Sequence, residues 1–234
     1  MASIDEGEAW SAHSAPGLQR PRVTLAYAQS LDGCIAARPG QPLAISGPES
    51  LDFTHELRAR HDAILVGIGT VLADDPQLSV RRVPGRNPRP VIVDSQLRCP
   101  PLARCLADAS RRPVLAAARS APAERERALT ADGAQVVRLP DRDGEIDLGA
   151  LLAWLETQGA RSLMVEGGAR IIGSFLRLRL VDEIALTVSP ALIGGVHAVP
   201  ALLARGNEPF PRLARLAWRQ LGDDLIVSGI PRWS

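Results

Sequence analysis

The sequence predicts an α/β fold, with a mostly parallel central sheet, helices on both faces and an antiparallel edge near its C-terminal end. Three observations carry that reading. Short apolar runs of strand length alternate with stretches of helical periodicity. These runs are almost wholly apolar, as strands covered on both faces must be. The last two strand-like runs have little helix between them, so an antiparallel edge is the simplest way to add them.

Residues 1–20 carry Ser, Ala, Gly and Pro without a period and are expected to form a mobile tail. That leaves 21–234 as a single domain whose fold starts near Arg22. A β-branched apolar run predicts the first strand at 23–28, followed by a helix at 49–59 and a strand at 63–66. Strands at 90–93 and 114–117, a helix at 123–130 and a strand at 135–137 continue the alternation. A helix at 148–157, a strand at 162–165 and a helix from 169 to about 178 complete it. The runs 183–188 and 224–227 supply the edge. The stretch 84–90, with Gly85, Asn87 and Pro88, is a loop too short to link domains, and the chain holds no internal repeat.

Composition narrows the class. A length of 234 residues fits one large α/β domain or two small ones. The 46% hydrophobic and 23% charged content belongs to an ordinary globular protein with a folded core. Lys+Arg 27 against Asp+Glu 26 leaves no bulk field to hold nucleic acid or an anionic membrane, so any anionic ligand needs a local site. No apolar run approaches the ~20 residues of a membrane span, and the first twenty residues lack a secretory pattern, which predicts a cytoplasmic protein. Cys34, Cys99 and Cys105 lack C-x-x-C spacing, so neither a disulfide framework nor a zinc site is expected. His13, His55, His61 and His197 share no metal-ligand spacing; His55 and His61, on and after one helix, read as structural. No G-x-S-x-G elbow, P-loop or H-E-x-x-H motif occurs.

Four motifs can carry chemistry. Val165-Glu166-Gly167-Gly168-Ala169-Arg170 lies between a strand and a helix, where paired glycines let backbone amides and the helix dipole meet a pyrophosphate. A tight turn that merely needs glycine is an equal reading. Val66-Gly67-Ile68-Gly69-Thr70, running on to Asp74-Asp75-Pro76, holds G-x-G without the third glycine of a Rossmann fingerprint. By itself it reads as a β-to-α turn and a short helix ended by the two aspartates. In Ser30-Leu31-Asp32-Gly33 the Asp-Gly pair predicts a turn, with a cleft-facing role for Asp32 left open. Val93-Asp94-Ser95-Gln96-Leu97-Arg98 sets a hydroxyl and a guanidinium beyond a strand's carboxyl end, where they suit a ribose 2′-phosphate and so NADP. A solvated loop is the alternative. Arg58 and Arg81 flank the second glycine motif and are candidates for a substrate phosphate, although each alone reads as a surface charge.

Taken in order, and with Ser189-Pro190-Ala191-Leu192-Ile193-Gly194-Gly195, these motifs resemble the pyrimidine reductases of riboflavin biosynthesis. Those are the C-terminal half of the bacterial bifunctional deaminase/reductase and the stand-alone archaeal and fungal enzymes. The likeness spans about 23–227. It implies a dihydrofolate-reductase-like three-layer fold, a homodimer, and NADPH-dependent reduction of a phosphoribosylamino-pyrimidine, ribosyl to ribityl. The substrate is either the deaminated uracil or the diamino-pyrimidinone 5′-phosphate.

By this resemblance Ala28, Thr70, Asp74 and Ser95 contact the cofactor, as does the stretch Gly167, Gly168, Ala169, Arg170, Ile171, Ile172, Gly173 and Ser174. Arg58, Leu78, Arg81 and Glu166 contact substrate, the two arginines suiting its 5′-phosphate. Asp32 and Glu166 are the expected catalytic carboxylates, and no metal is implied. Cys34 stands where the family usually has Lys or Arg; Pro42 and Ala44 stand where the bifunctional enzymes have Ser and Trp. The zinc deaminase pattern is missing, so the partner deamination is not expected. Two alternatives remain: a reductase of this fold redirected to a pterin or a secondary metabolite, and a non-catalytic nucleotide-binding module.

Overall fold

The computed structural model describes residues 19–131, 133–200 and 210–233; most of the expected N-terminal tail lies outside the described residues. In chain order the elements are β1 (Arg22–Ser30), β2 (Cys34–Ala36), α1 (Pro48–Arg60), β3 (Ala63–Gly67), α2 (Ile68–Asp74) and β4 (Arg89–Val93). A 3₁₀ turn precedes β5 (Val114–Ala118), α3 (Ala123–Thr130), β6 (Gln135–Leu139), β7 (Asp141–Arg142), β8 (Glu145–Ile146) and α4 (Leu148–Thr157). Then come β9 (Ser162–Val165), α5 (Ala169–Arg177), β10 (Glu183–Ser189), β11 (Val196–His197), β12 (Pro211–Leu221) and β13 (Asp224–Trp233).

Nine strands form the main sheet in the order β12-β13-β10-β1-β9-β3-β4-β5-β6. All neighbours from β10 to β6 are parallel; β13 is antiparallel to both β10 and β12. The antiparallel edge is therefore present, but β10 belongs to the parallel body, because the helical crossover through α5 returns the chain in the direction of β1. The long strand β12 has no counterpart in the sequence reading. Its apolar residues are interrupted by Arg212, Arg215 and Arg219, and it breaks register between Ala214 and Ala217, so no clean period of two survives.

Adjacent residues of the apolar strands point to opposite faces and fill different cores. Leu65, Val91, Leu163 and Val165 pack beneath α4 and α5 against Leu151, Leu155 and Phe175. Ile64, Val66, Ile92 and Leu115 pack on the other face with Val71 of α2 and Leu129 of α3. Phe53 and Leu57 of α1 cover Ala26, Met164 and Ala185 on that same face of the sheet. Continuous hydrophobicity in β3, β4, β5 and β9 is thus the cost of being covered twice.

The amino ends of two central strands are tied by one carboxylate. Asp62 accepts from the backbone amides of Arg161 and Ser162 at 3.0 and 3.1 Å and from the Ser162 hydroxyl at 3.0 Å. Nearby, buried His61 donates through Nδ1 to the Leu57 carbonyl at 2.6 Å, leaving Nε2 to accept from the Thr24 hydroxyl at 2.9 Å. Burial lowers the pKa of this ring, which suits a neutral tautomer joining α1 to β1.

Candidate active site

The carboxyl ends of β1, β3, β4, β9 and β10 face one side of the molecule, and two cavities open there. The larger, about 560 Å³, lies between α2, the start of α5, the loop after β4 and the β7–β8 hairpin. Thr70, Asp74, Ser95, Arg98, Gly168 and Ser174 are among its walls. The smaller, about 390 Å³, runs beside α1 and the ends of β1 and β10, and includes Ala28, Arg58, Leu78, Glu166 and Thr187. Thr70, Asp74, Gly168, Ile35 and Leu43 line both, so the cavities are two halves of one cleft.

The glycine turns explain how that cleft is kept open. A Cβ on Gly167 would stand 2.5 Å from Ile171 Cβ, and one on Gly67 would stand 2.8 Å from Ile171 Cγ1. Glycine at these positions lets α5 pack against both turns. Gly168 and Gly69 differ: a Cβ at 168 would meet only Thr70 Oγ1, at 3.7 Å, and one at 69 would meet nothing within 4 Å. Protein packing does not require glycine there, and both positions line the larger cavity. Gly168 is also the N-cap of α5 and no side chain caps that helix, so its first-turn amides remain available to an anion.

The expected cofactor stretch is divided by the helix itself. Gly168, Ala169, Arg170, Ile171 and Ser174 line the larger cavity and Gly167 the smaller. Ile172 and Gly173 are buried on the core side of α5, with Ile172 in the apolar cluster beneath the sheet. A contiguous stretch of helix cannot present every side chain to one ligand. These two residues support the helix and do not line the cleft.

The smaller half is organised by charge. Arg58 and Glu166 form a two-pronged pair, Nε and Nη2 each donating to a separate carboxylate oxygen at 2.6 Å. The fork of Arg58 is thereby occupied, and Arg58 orients Glu166 from across the cleft. Leu78, buried and in the left-handed region at φ 51°, begins the segment that leads to Arg81. Burial, and then the like charges of Arg58 and Arg104, hold the Arg81 guanidinium below its ordinary pKa, with Glu166 opposing them. An anion bound beside Arg81 would relieve that repulsion. Burial raises the pKa of Asp74 at the junction of the two halves.

Asp32 lines neither cavity. Its carboxylate accepts from the Ser30 hydroxyl at 2.5 Å and from the backbone amides of Gly194 at 2.6 Å and Ile193 at 3.1 Å. The Ser30, Gly194 and Ile193 donors hold it well below the usual carboxylate range. The expected turn is present, with Gly33 at φ 80°. A carboxylate engaged in this way braces the 193–194 loop against the end of β1.

Residues 21–227 match the family model described as the RibD C-terminal domain. The chain belongs to that family. A relative from Methanothermobacter thermautotrophicus, named 2,5-diamino-6-ribosylamino-4(3H)-pyrimidinone 5′-phosphate reductase, is 42% identical over 214 residues, covering 89% of this chain and 97% of the relative. One of the same name from Archaeoglobus fulgidus is 43% identical over 186 residues, covering 75% of this chain and 83% of that one. The riboflavin biosynthesis reductase Rib7 of Saccharomyces cerevisiae superposes with a TM-score of 0.75 at 28% identity, covering 94% of this chain and 93% of that chain. A dihydrofolate reductase from Enterococcus faecalis, at 13% identity and a TM-score of 0.53, shares the fold. The dihydrofolate-reductase-like architecture expected from the resemblance is found.

Within this RibD C-terminal domain the three departures fall in different places. Pro42 lines the larger cavity and Ala44 the smaller. Cys34 is fully buried and lines neither, its Sγ accepting from the Gly195 amide at 3.1 Å. Tyr27, Thr187, Ile35, Leu43 and the hairpin residues Gly144, Glu145 and Ile146 also line the cleft, and the sequence reading did not single them out. Tyr27 and Thr187 were detectable as hydroxyl-bearing residues in the apolar strands β1 and β10. The hairpin carries no such signal.

Proposed function

We propose that this chain is an NADPH-dependent reductase that converts the ribosyl group of a phosphorylated ribosylamino-pyrimidine to ribityl, in riboflavin biosynthesis. The observation that carries the reading is the meeting of the two cavities at Thr70, Asp74 and Gly168: one half suits a dinucleotide, the other a compact anionic substrate. The relatives matched over nearly their whole length favour the diamino-pyrimidinone 5′-phosphate over its deaminated form. The pterin or secondary-metabolite alternative gains nothing from them.

In this reading the first-turn amides of α5 take the pyrophosphate, and Ser95 with Arg98, in the wall of the larger cavity, takes the 2′-phosphate. Ala28 contributes backbone, while Thr70 and Asp74 line the junction. NADPH supplies the hydride when bound. The protein's own work is positioning. Glu166, held by Arg58, is the carboxylate that meets substrate; Leu78 lines the same half and contacts substrate there; Arg81 takes the 5′-phosphate. Asp32 contributes at one remove by bracing the 193–194 loop. Residues 21–234 act as one unit, in the cytoplasm and as a homodimer. No described helix is long and apolar enough to cross a membrane, and light scattering of the purified chain tests the dimer.

The deciding experiment follows the loss of NADPH absorbance with the deaminated and the diamino substrate in parallel. Turnover of the diamino compound is expected. Tight NADPH binding with no turnover of either would remove the reading. A Ser95→Ala, Arg98→Ala double variant should lose roughly 10- to 100-fold of its preference for NADPH over NADH, the worth of charge-assisted bonds.

A further inference from the structure

The segment between α2 and β4 carries Leu78 to the wall of the smaller cavity and Arg81 within electrostatic range of Arg58 and Glu166, and it is tied down along its length. Arg111 donates to the carbonyls of Gln77 at 3.0 Å, Pro88 at 2.8 Å and Leu78, closing both ends of the loop. Asn87 accepts from the Val80 amide at 2.7 Å. The middle is held from α1. The backbone amide of Arg81 donates to His55 Nδ1 at 3.0 Å, and Arg58, one helical turn further on, donates through Nη1 to the Ser79 carbonyl at 3.1 Å. Two residues spaced i, i+3 on one helix thus grip 79–81 from the same side.

The chemistry of His55 is fixed by this contact. An amide hydrogen can be accepted only by a ring nitrogen without its own proton, so Nδ1 carries the lone pair and the proton sits on Nε2. The ring is buried, and Nε2 stands 3.4 Å from Arg58 Nη1. Burial first, and then the Arg58 and Arg81 charges, push the His55 pKa down to about 4, so the ring is uncharged at neutral pH. A buried apolar side chain would fill the same space without offering an acceptor to the loop.

We infer that His55 is a positioning residue for substrate binding: its Nδ1 lone pair fixes the backbone at Arg81 and thereby sets that guanidinium beside the Arg58–Glu166 pair. This rests on the reading of Arg81 as the phosphate contact. It assigns to α1 two tasks, orienting a carboxylate through Arg58 and orienting a cation through His55.

The test compares His55→Ala, His55→Asn and Arg81→Ala on the full chain, with the phosphorylated pyrimidine and with the same compound lacking its phosphate. His55→Ala should raise KM for the phosphorylated substrate about tenfold while kcat stays within about twofold, the expected loss of one buried hydrogen bond. His55→Asn, whose Oδ1 can replace Nδ1, should recover most of that loss, and neither change should affect the dephosphorylated compound. His55→Gln, which offers no acceptor at the Nδ1 position, is the second variant should alanine fail to fold, and should resemble alanine. Equal losses on both substrates, or in kcat as much as KM, would reduce His55 to a structural role. A costly Arg81→Ala beside a silent His55→Ala refutes His55 alone, whereas a silent Arg81→Ala refutes the phosphate reading and this inference with it.

Discussion

The turn after β3 and the turn after β9 lie side by side on the cleft floor, each with two glycines, yet the glycines within each turn are not equivalent. Gly67 and Gly167 sit against Ile171 of α5; Gly69 and Gly168 face open space or a single hydroxyl. The turns also differ from each other. Gly67 meets the outer part of the Ile171 side chain, which can swing, whereas Gly167 meets Ile171 Cβ, which can move only with the helix. Glu166 precedes the pair after β9 and reaches the smaller half, while Thr70 follows the pair after β3 and reaches the junction. A glycine-rich turn is therefore not a uniform sign of phosphate binding: in each of these, one glycine admits a helix and the other lines the larger cavity.

Substitution can break that distinction. Gly167→Ala should have the largest effect, an overpacking cost of about 2–3 kcal/mol, seen as a fall of roughly 5–10 °C in Tm. Adding Ile171→Ala, which removes Cγ2 but keeps Cβ, should recover only part of the loss, a non-additivity that identifies the contact. Gly168→Ala should cost under about 1 kcal/mol of stability yet weaken NADPH binding about tenfold, measured by fluorescence titration. A large Tm change at 168 with intact binding would reverse the assignment. Gly67→Ala should fall between the two in stability, near 1 kcal/mol, because a rotamer change can absorb it.

The smallest effect separates the substrate half from both turns. His55 is held to about 4 from its ordinary 6.5, so between those values the unfolded chain binds more protons than the folded one. Its contribution to stability is complete above about pH 6.5 and is lost as pH falls toward 4. Tm should therefore decline more steeply with acidification in the native sequence than in His55→Asn.

Much of this was legible beforehand, for identifiable reasons. Strands such as Ala63–Gly67 and Ser162–Val165 announce themselves because residues covered on both faces have no polar partner position. The glycine turns followed because they sit where an apolar run meets a helical period. Strand β12 was hidden by its arginines and broken register, and β2 and β11 by being three and two residues long. The site was harder to read, since its polar logic is long-range. Glu166 is 108 positions from Arg58 and Asp32 is 161 from Ile193, separations at which a local pattern carries no information. Spacing alone marked Arg58 for a phosphate; only the folded chain shows its fork turned to Glu166. The resemblance alone implies a cleft position for Asp32, yet two backbone amides of a distant loop hold it outside.

Asp62 acts at the opposite pole, where β3 and β9 begin. Because it grips the start of β9 while lying immediately before β3, it serves as a datum from which both strands are measured. The pairing of Ala63 with Leu163 and Leu65 with Val165 then delivers the two turns at the same height, some 15 Å away by the rise of a strand. An offset of one residue at that end would exchange the faces of a whole strand and shear the cleft floor by about 3.3 Å. The tolerance of the site is in this sense machined from its far side, by a carboxylate that lines neither half of the cleft.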